Sequence, residues 1–446
     1  MKNLRYISMD GRLEYECFSG EIDYLSNQLR WLNWPECPLQ SFPSNFHANK
    51  LVKLNIPDSH GITRLWEGRK NFSRLTYMNL SSCTSLKELP NLSAVPNLKE
   101  LDLYECRSLV EVPDSVGFLR NLFTLNVDGC SNLTMYPRKI TWKYVEAISI
   151  HSCKLEEFSE VGKEMGSLRI LDLSDTCIKE LGPSITNLTG LEELILRNCQ
   201  NLTTLPRSIY ELRNLRVLDA RQCPKLAAFP EIPIKMDFLR EVYLGGGAIR
   251  ELDESIGNLI GLQTLDLTNC KNLTTLPCSI YGLQNLKQLE LGNCSKLVRF
   301  PTNTNMLNVG PSLPKLRRLD IRGCTGLSDC DFLMTLDCWE TLQYLFLSEN
   351  NFVSLPACIT RYVNLWRLDL YGCKRLREIP EIPPEVYLHI SGCEALERFP
   401  RTINVIGAES LLCSETPAEE FSTVNWPPSA QLRPRPRPRP RPRWNQ

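Results

Sequence analysis

The sequence predicts an α/β solenoid: a curved stack with a parallel β-sheet on its concave face and short helices or 3₁₀ turns on its convex face. Three observations carry this expectation. The template L-x-x-L-x-L-x-x-C closes at positions 37, 59, 83, 106, 130, 153, 176, 199, 223, 247, 270, 294, 324, 350, 373 and 393, sixteen registrations mostly 22 to 24 residues apart. A chain of 446 residues exceeds what one globular core usually supports, which favours an array. A single repeat cannot bury its own leucines, so neighbours must stack.

Each element of the repeat follows from its residues. In L-x-L the two apolar side chains point to one side of a short strand and the middle residue to the other. The second half reads like "LTTLPRSIYELRNL", where Pro206 halts the extended segment. Ser208, Ile209, Leu212 and Leu215 then fit a short helix or 3₁₀ turn facing the same core. Returns wider than strands curve the stack, which gives a leucine-rich-repeat horseshoe. The expected organisation is an irregular first repeat without a clear cap over 1–24, a solenoid of about sixteen repeats over 25–400, and a disordered tail over 401–446.

Two stretches break the rhythm. The spacing from Cys294 to Cys324 is 30, with "PTNTNMLNVGPSLPK" inserted, and from Cys324 to Asn350 it is 26, through "GLSDCDFLMTLDCWETL". Insertions in a solenoid map to loops on one face, often the binding face.

Composition narrows the function. Hydrophobic residues make up 42% and charged residues 23%, ordinary values for a folded soluble chain. The formal charge is zero, but six of the 51 basic residues lie between Arg433 and Arg443, so residues 1–432 carry 45 basic against 51 acidic side chains. A mildly acidic body does not suggest a nucleic-acid surface. No apolar stretch of signal-peptide type opens the chain and none approaches membrane-spanning length, so the expected location is the cytoplasm, with the nucleus as a second compartment.

Nineteen cysteines invite chemistry, and twelve of them occupy the closing position of the template. Rungs about 4.8 Å apart place those thiols in a line. A line is not the tetrahedron that structural zinc requires, and the four histidines are too scattered to serve as bases. The reading favoured over zinc, disulfide and nucleophile is a buried thiol that fills space and donates weakly to backbone. Gly245–Gly247 lacks the context of a phosphate loop. Eight N-x-[ST] sequons, among them Asn79, Asn201 and Asn272, arise mostly from the repeat consensus. No catalytic, cofactor-binding or metal site is expected, and the chain is not read as an enzyme.

The outward strand residues are where the scaffold imposes least. Arg318, Arg322, Tyr344, Phe346, Arg367, Tyr371, Tyr387 and His389 should cluster at the C-terminal end of the concave face. Aromatic residues and arginine dominate protein–protein hot spots, so this cluster is the candidate protein-binding surface. The acidic row Asp102, Asp172, Asp219, Asp266, Glu290, Asp320 and Asp369 reads mainly as scaffold. "RPRPRPRPRPR" at 433–443 should be a cationic polyproline II segment, with weak nucleic-acid contact its one conceivable link to that ligand class.

The stretches "MKNLRYI", "LSNQLRWLNWPECPLQSFPSNFHANKLVKLNIPDSHGITRLWEG", "LTYMNLSSCTSLKELPNLS", "LDLYGCKRLREIPEIPP" and "LSDCDFLMTLDCWETLQYLFLSENNFVSLPACI" resemble the leucine-rich-repeat region of plant TIR-type nucleotide-binding disease resistance proteins. The resemblance covers roughly residues 1–400. It implies an intracellular immune-receptor role, with the repeats binding a pathogen effector, a guarded host protein, or the TIR and nucleotide-binding domains of a related receptor. These 446 residues contain no TIR domain and no phosphate loop, so the family's NAD-cleaving and nucleotide-switch activities do not carry over. The expectation is a partial resistance protein acting in defence signalling. An extracellular receptor or inhibitor-type protein is the alternative, as is a non-functional truncated gene product.

Overall fold

A computed structural model describes residues 3–9, 22–163, 165–301 and 312–398. By internal packing the chain divides into Met1–Val405 and Ile406–Gln446. The second unit, the Arg-Pro tail within it, and most of the "PTNTNMLNVGPSLPK" insertion lie outside the described residues.

The first leucine of each L-x-L sits at the centre of a three-residue strand, such as Glu100–Asp102, Val217–Asp219 or Arg318–Asp320, and the second follows directly after it. The strands run parallel and pair in chain order from Tyr6–Ser8 to Tyr387–His389, seventeen among the described residues. Register is uniform: Leu101 sits beside Leu125, Leu218 beside Val242, and Leu319 beside Leu345. Along one strand Glu100 is exposed, Leu101 is buried and Asp102 is half-buried, the alternation that a pleated strand imposes. Both residues flanking the central leucine therefore face outward, and the buried leucines of all repeats merge into one core.

The chain leaves each strand by the same device. The residue before the closing position is left-handed, with φ of 57° at Ser82, 55° at Glu105, 55° at Asn198, 79° at Gly246 and 65° at Gly323. Non-glycine residues pay about 1–2 kcal/mol for that conformation. The next side chain then turns inward. Cys106 Sγ donates to the Leu80 carbonyl at 3.1 Å, Cys130 to Leu103 at 3.2 Å, and Cys294 to Leu267 at 3.2 Å, each in the preceding repeat. Where asparagine replaces cysteine, Asn350 Nδ2 reaches both Ile321 O at 2.9 Å and Leu347 O at 2.8 Å. The thiols are thus rungs that satisfy turn carbonyls, as their position in the repeat suggests. Burial pushes Cys130 up to about 12 and Cys270 up to about 11, far from thiolate reactivity. All seventeen described cysteines are unbridged.

The return segments form 3₁₀ turns such as Pro183–Asn187, Arg207–Glu211 and Cys278–Gly282, with a single α-turn among the described residues at Asp114–Gly117. Ile209, Leu212 and Leu215 are buried, as the apolar spacing predicts. An asparagine ladder ties returns together: Asn214 Nδ2 donates to Thr189 O at 2.8 Å, Asn285 to Ile260 O at 2.8 Å, and Asn364 to Glu340 O at 2.7 Å.

The second irregular stretch corrects an expectation. It forms the turn Asp331–Thr335, with Phe332 stacked on Phe300 at 4.0 Å and Leu333 and Cys338 fully buried. Its extra residues fill core on the return side, while strand register between Arg318 and Tyr344 is undisturbed. Its irregularity therefore lends no support to a binding face beside it.

Candidate protein-interaction face

Uniform register turns sequence spacing into rows. In one row Arg318 lies beside Tyr344, Tyr344 beside Arg367, and Arg367 beside Tyr387. In the next, Asp320, Phe346, Asp369 and His389 follow one another. Arg322 and Tyr371 lie two residues further along their chains. Six of the eight residues singled out from the sequence are joined by direct contacts, and the stacked pair Tyr371 and His389 connects to them through Asp369.

Phe346 is the hub. The Arg318 guanidinium stacks on its ring at 4.3 Å, Arg322 at 5.3 Å and Arg367 at 5.4 Å, leaving Phe346 only 6% exposed. Each arginine is also ion-paired. Arg318 reaches Glu290 at 2.5 Å and Asp320 at 3.4 Å, Arg322 reaches Asp320 at 2.7 Å, and Arg367 reaches Asp369 at 3.0 Å. Asp320 is 2% exposed, so the ring and the carboxylate hold the cations jointly, from the face and from the edge.

The other end of the cluster centres on Asp369. It accepts from Ser348 Oγ at 2.6 Å and from the Tyr371 N–H at 3.2 Å, and its Oδ1 lies 3.2 Å from His389 Nδ1. Burial pushes this carboxyl up, but the His389, Ser348 and Tyr371 hydrogen bonds outweigh burial and hold it well below the usual carboxylate range. Glu290 goes the other way. Burial pushes it up to about 7, Arg318 opposes that, and the Asp320 and Asp266 carboxylates add to it. His389 stacks on Tyr371 at 5.4 Å, and Arg367 stacks on Tyr387 at 5.3 Å.

Sequence reasoning missed two features. Trp366 packs edge-on against Tyr344 at 5.5 Å and is 57% exposed, yet it lies one residue before the strand, outside the outward strand positions singled out. The acidic row, read mainly as scaffold, supplies buried counterions. The same unit recurs earlier, where Asp219 pairs with Arg197 at 2.6 Å and Arg221 at 2.7 Å, and Arg221 stacks on Tyr243 at 4.7 Å. The available signal was L-D-x-R, present at Leu218–Arg221 and Leu319–Arg322: residues two apart on a strand share a face.

Among the described residues no group of three or more His, Cys, Asp or Glu side chains is arranged to hold a metal, and no helix is long and apolar enough to cross a membrane. The face offers charge-paired aromatic surface, which suits recognition of a macromolecule.

Residues 211–413 match the family model of the leucine-rich repeats of RPS4B-like disease resistance proteins. The chain is 28% identical to disease resistance protein RPP5 of Arabidopsis thaliana, over 85% of this chain and 31% of that protein. It is 30% identical to TMV resistance protein N of Nicotiana glutinosa, over 89% of this chain and 32% of that protein. Among solved structures, a leucine-rich-repeat protein of Leptospira interrogans aligns with a TM-score of 0.48 at 22% identity, covering 83% of this chain and 91% of that one. The chain spans about a third of the length of the curated relatives it matches. The family model and the sequence relatives agree: the chain belongs with the leucine-rich-repeat regions of plant disease resistance proteins.

Proposed function

We propose that the solenoid is the protein-recognition module of a plant intracellular immune receptor, and that the Arg318–His389 cluster is its contact surface. The observation that carries the reading is the convergence of three arginines and five aromatic or imidazole side chains from four neighbouring repeats around Phe346 and Asp369. Repeats need nothing of this kind to stack, since the leucine core already holds them. Arginine and aromatic rings pre-ordered by one another are poised to contribute to a protein interface with little further loss of freedom.

The partner class is protein: a pathogen effector, a host protein that effectors alter, or the switch domains of a related receptor. Cytoplasmic residence accords with two sequons that are engaged in folding. Asn79 Nδ2 donates to Asn55 Oδ1 at 2.8 Å and Asn187 Nδ2 donates to Val161 O at 2.8 Å, so a glycan on either would crowd a part-buried amide that ties one repeat to the next.

The test is proximity labelling in leaf cells with the full chain and with an Arg322→Ala/Trp366→Ala/Tyr371→Ala variant, alongside the defence response each elicits on pathogen challenge. The reading expects a protein set and a response that the parent chain gives and the variant loses at equal abundance. Identical sets and responses from both would overturn it.

A further inference from the structure

We propose that the edge formed by Tyr344, Trp366 and Tyr387 seats a proline-rich extended segment of the partner protein, laid across the strands with prolines three residues apart. This rests on the recognition reading above and adds the chemistry of what is recognised.

The first argument is charge. Arg318, Arg322 and Arg367 are each paired with a carboxylate of this chain: Glu290 and Asp320, Asp320, and Asp369 respectively. An acidic ligand would have to displace a carboxylate that is already buried and close by, so little is gained by exchanging one anion for another. The arginines act as positioning residues that hold the rings.

The second argument is what remains accessible. Trp366 is 57% exposed and Tyr371 is 47% exposed, while Tyr344 and Tyr387 are half-buried. Trp366 and Tyr344 meet edge to face, and Arg367 clamps Tyr387 from one side. Rings held in this way recognise an apolar, preformed segment at low ordering cost, and polyproline II helices dock on aromatic surfaces for that reason.

The third argument is spacing. Tyr344 and Tyr387 occupy the same row on strands two apart, with Arg367 between them. Two strand spacings amount to about 9.6 Å. Three residues of polyproline II rise about 9.3 Å. A segment with proline at every third position, crossing the strands, therefore meets Tyr344 and Tyr387 in phase. Such a segment has no internal hydrogen bonds, so its carbonyls are available. Arg367 Nε is buried beside this row without a hydrogen-bond partner, and a small turn of its guanidinium would offer one donor.

The experiment uses the full chain and three labelled twelve-residue peptides: (Pro-Leu-Ala)4, a scramble of the same composition without the three-residue period, and (Asp-Leu-Ala)4. Fluorescence anisotropy should show the first bound about tenfold more tightly than either control, with Tyr344→Ala and Tyr387→Ala each costing about tenfold. Tyr387→Phe should retain binding, and thermal unfolding should show that each variant is folded. Raising salt from about 50 mM to about 500 mM should change the affinity less than about twofold, because no ion pair forms on binding. Equal binding of the scramble, tighter binding of the acidic peptide, a steep salt dependence, or no peptide binding would each overturn the proposal. If peptides fail while Tyr344→Ala and Tyr387→Ala still lose the proteins labelled in leaf cells, only the proline chemistry falls. If those variants keep every labelled protein, the recognition reading falls with it.

Discussion

The two ends of the strand face solve the same problem in opposite ways. In the first repeats the row is filled by Asn33, Asn55 and Asn79, with Asn55 Nδ2 donating to Asn33 Oδ1 at 2.5 Å and Asn79 Nδ2 to Asn55 Oδ1 at 2.8 Å. In the last repeats the same row holds Asp320, Phe346 and Asp369. An amide is both donor and acceptor, so an asparagine row satisfies itself and asks nothing of its neighbours. A carboxylate only accepts, so each buried aspartate requires cations nearby, and Arg318, Arg322 and Arg367 follow from that requirement. The early face is a scaffold row that can repeat indefinitely. The late face is a composition that holds only as a set.

Breaking the set should have the largest effect. Arg318→Ala takes the charged donor from Glu290, which burial already raises to about 7 and which then takes up a proton, and leaves Asp320 with Arg322 alone. Losing hydrogen bonds to charged groups costs roughly 1.5–3 kcal/mol. Hydrogen exchange of strands Gln288–Glu290 and Arg318–Asp320 should report that loss locally, since stability in a stack is a sum of neighbouring terms. The same operation on the neutral row should cost less. Asn55→Ala removes an acceptor from Asn79 and a donor to Asn33 at a half-buried site, which amounts to about 1–2 kcal/mol in denaturant unfolding. Equal effects from the two variants would end the distinction between the rows.

The middle of the face offers a pH handle. The Asp172 hydrogen bond, with Coulombic help and against partial burial, raises His151 above its ordinary value of 6.5, and His151 Nε2 lies 3.0 Å from Asp172 Oδ2. Folding therefore favours the protonated ring. The stability this pair contributes is complete below about pH 6.5 and is lost as pH rises through the raised value. Asp172 itself is held below its ordinary value, burial notwithstanding, by His151 and Ser174, so the pair weakens again only in strong acid. A His151→Gln variant should lose the decline in stability above neutrality that the parent shows by thermal unfolding. The smallest effect concerns the turns. Several late repeats have glycine at the left-handed position, as at Gly323, Gly372 and Gly392, though Glu349 stands among them, whereas Asp58, Ser82 and Glu105 occupy it in early ones. Ser82→Gly should stabilise by about 0.5–1 kcal/mol, the relief of left-handed strain minus the added freedom of the unfolded chain.

How much of this was legible follows from what each residue answers to. Leu101, Leu218 and Leu319 were readable because burial of the template leucines is a property of the repeat, and the repeat is written in the chain. Cys106 and Cys130 were readable as rungs for the same reason. The left-handed turn was missed although asparagine, glycine and serine before the closing cysteine signal it. Asp320 could not be read from its own repeat alone, because Glu290 and Phe346, which complete its surroundings, come from the two adjacent repeats. Phe346 was expected on the surface with the cluster, and three guanidinium groups bury it instead.

Periodicity in the amino-acid sequence therefore determined the solenoid, the strand positions, the leucine core and the identity of the outward rows, because each depends on one repeat and its register. Only the tertiary structure decided which outward charges are spent on one another and which rings stay exposed, because those depend on contacts between repeats about 4.8 Å apart in space and more than twenty residues apart in the chain.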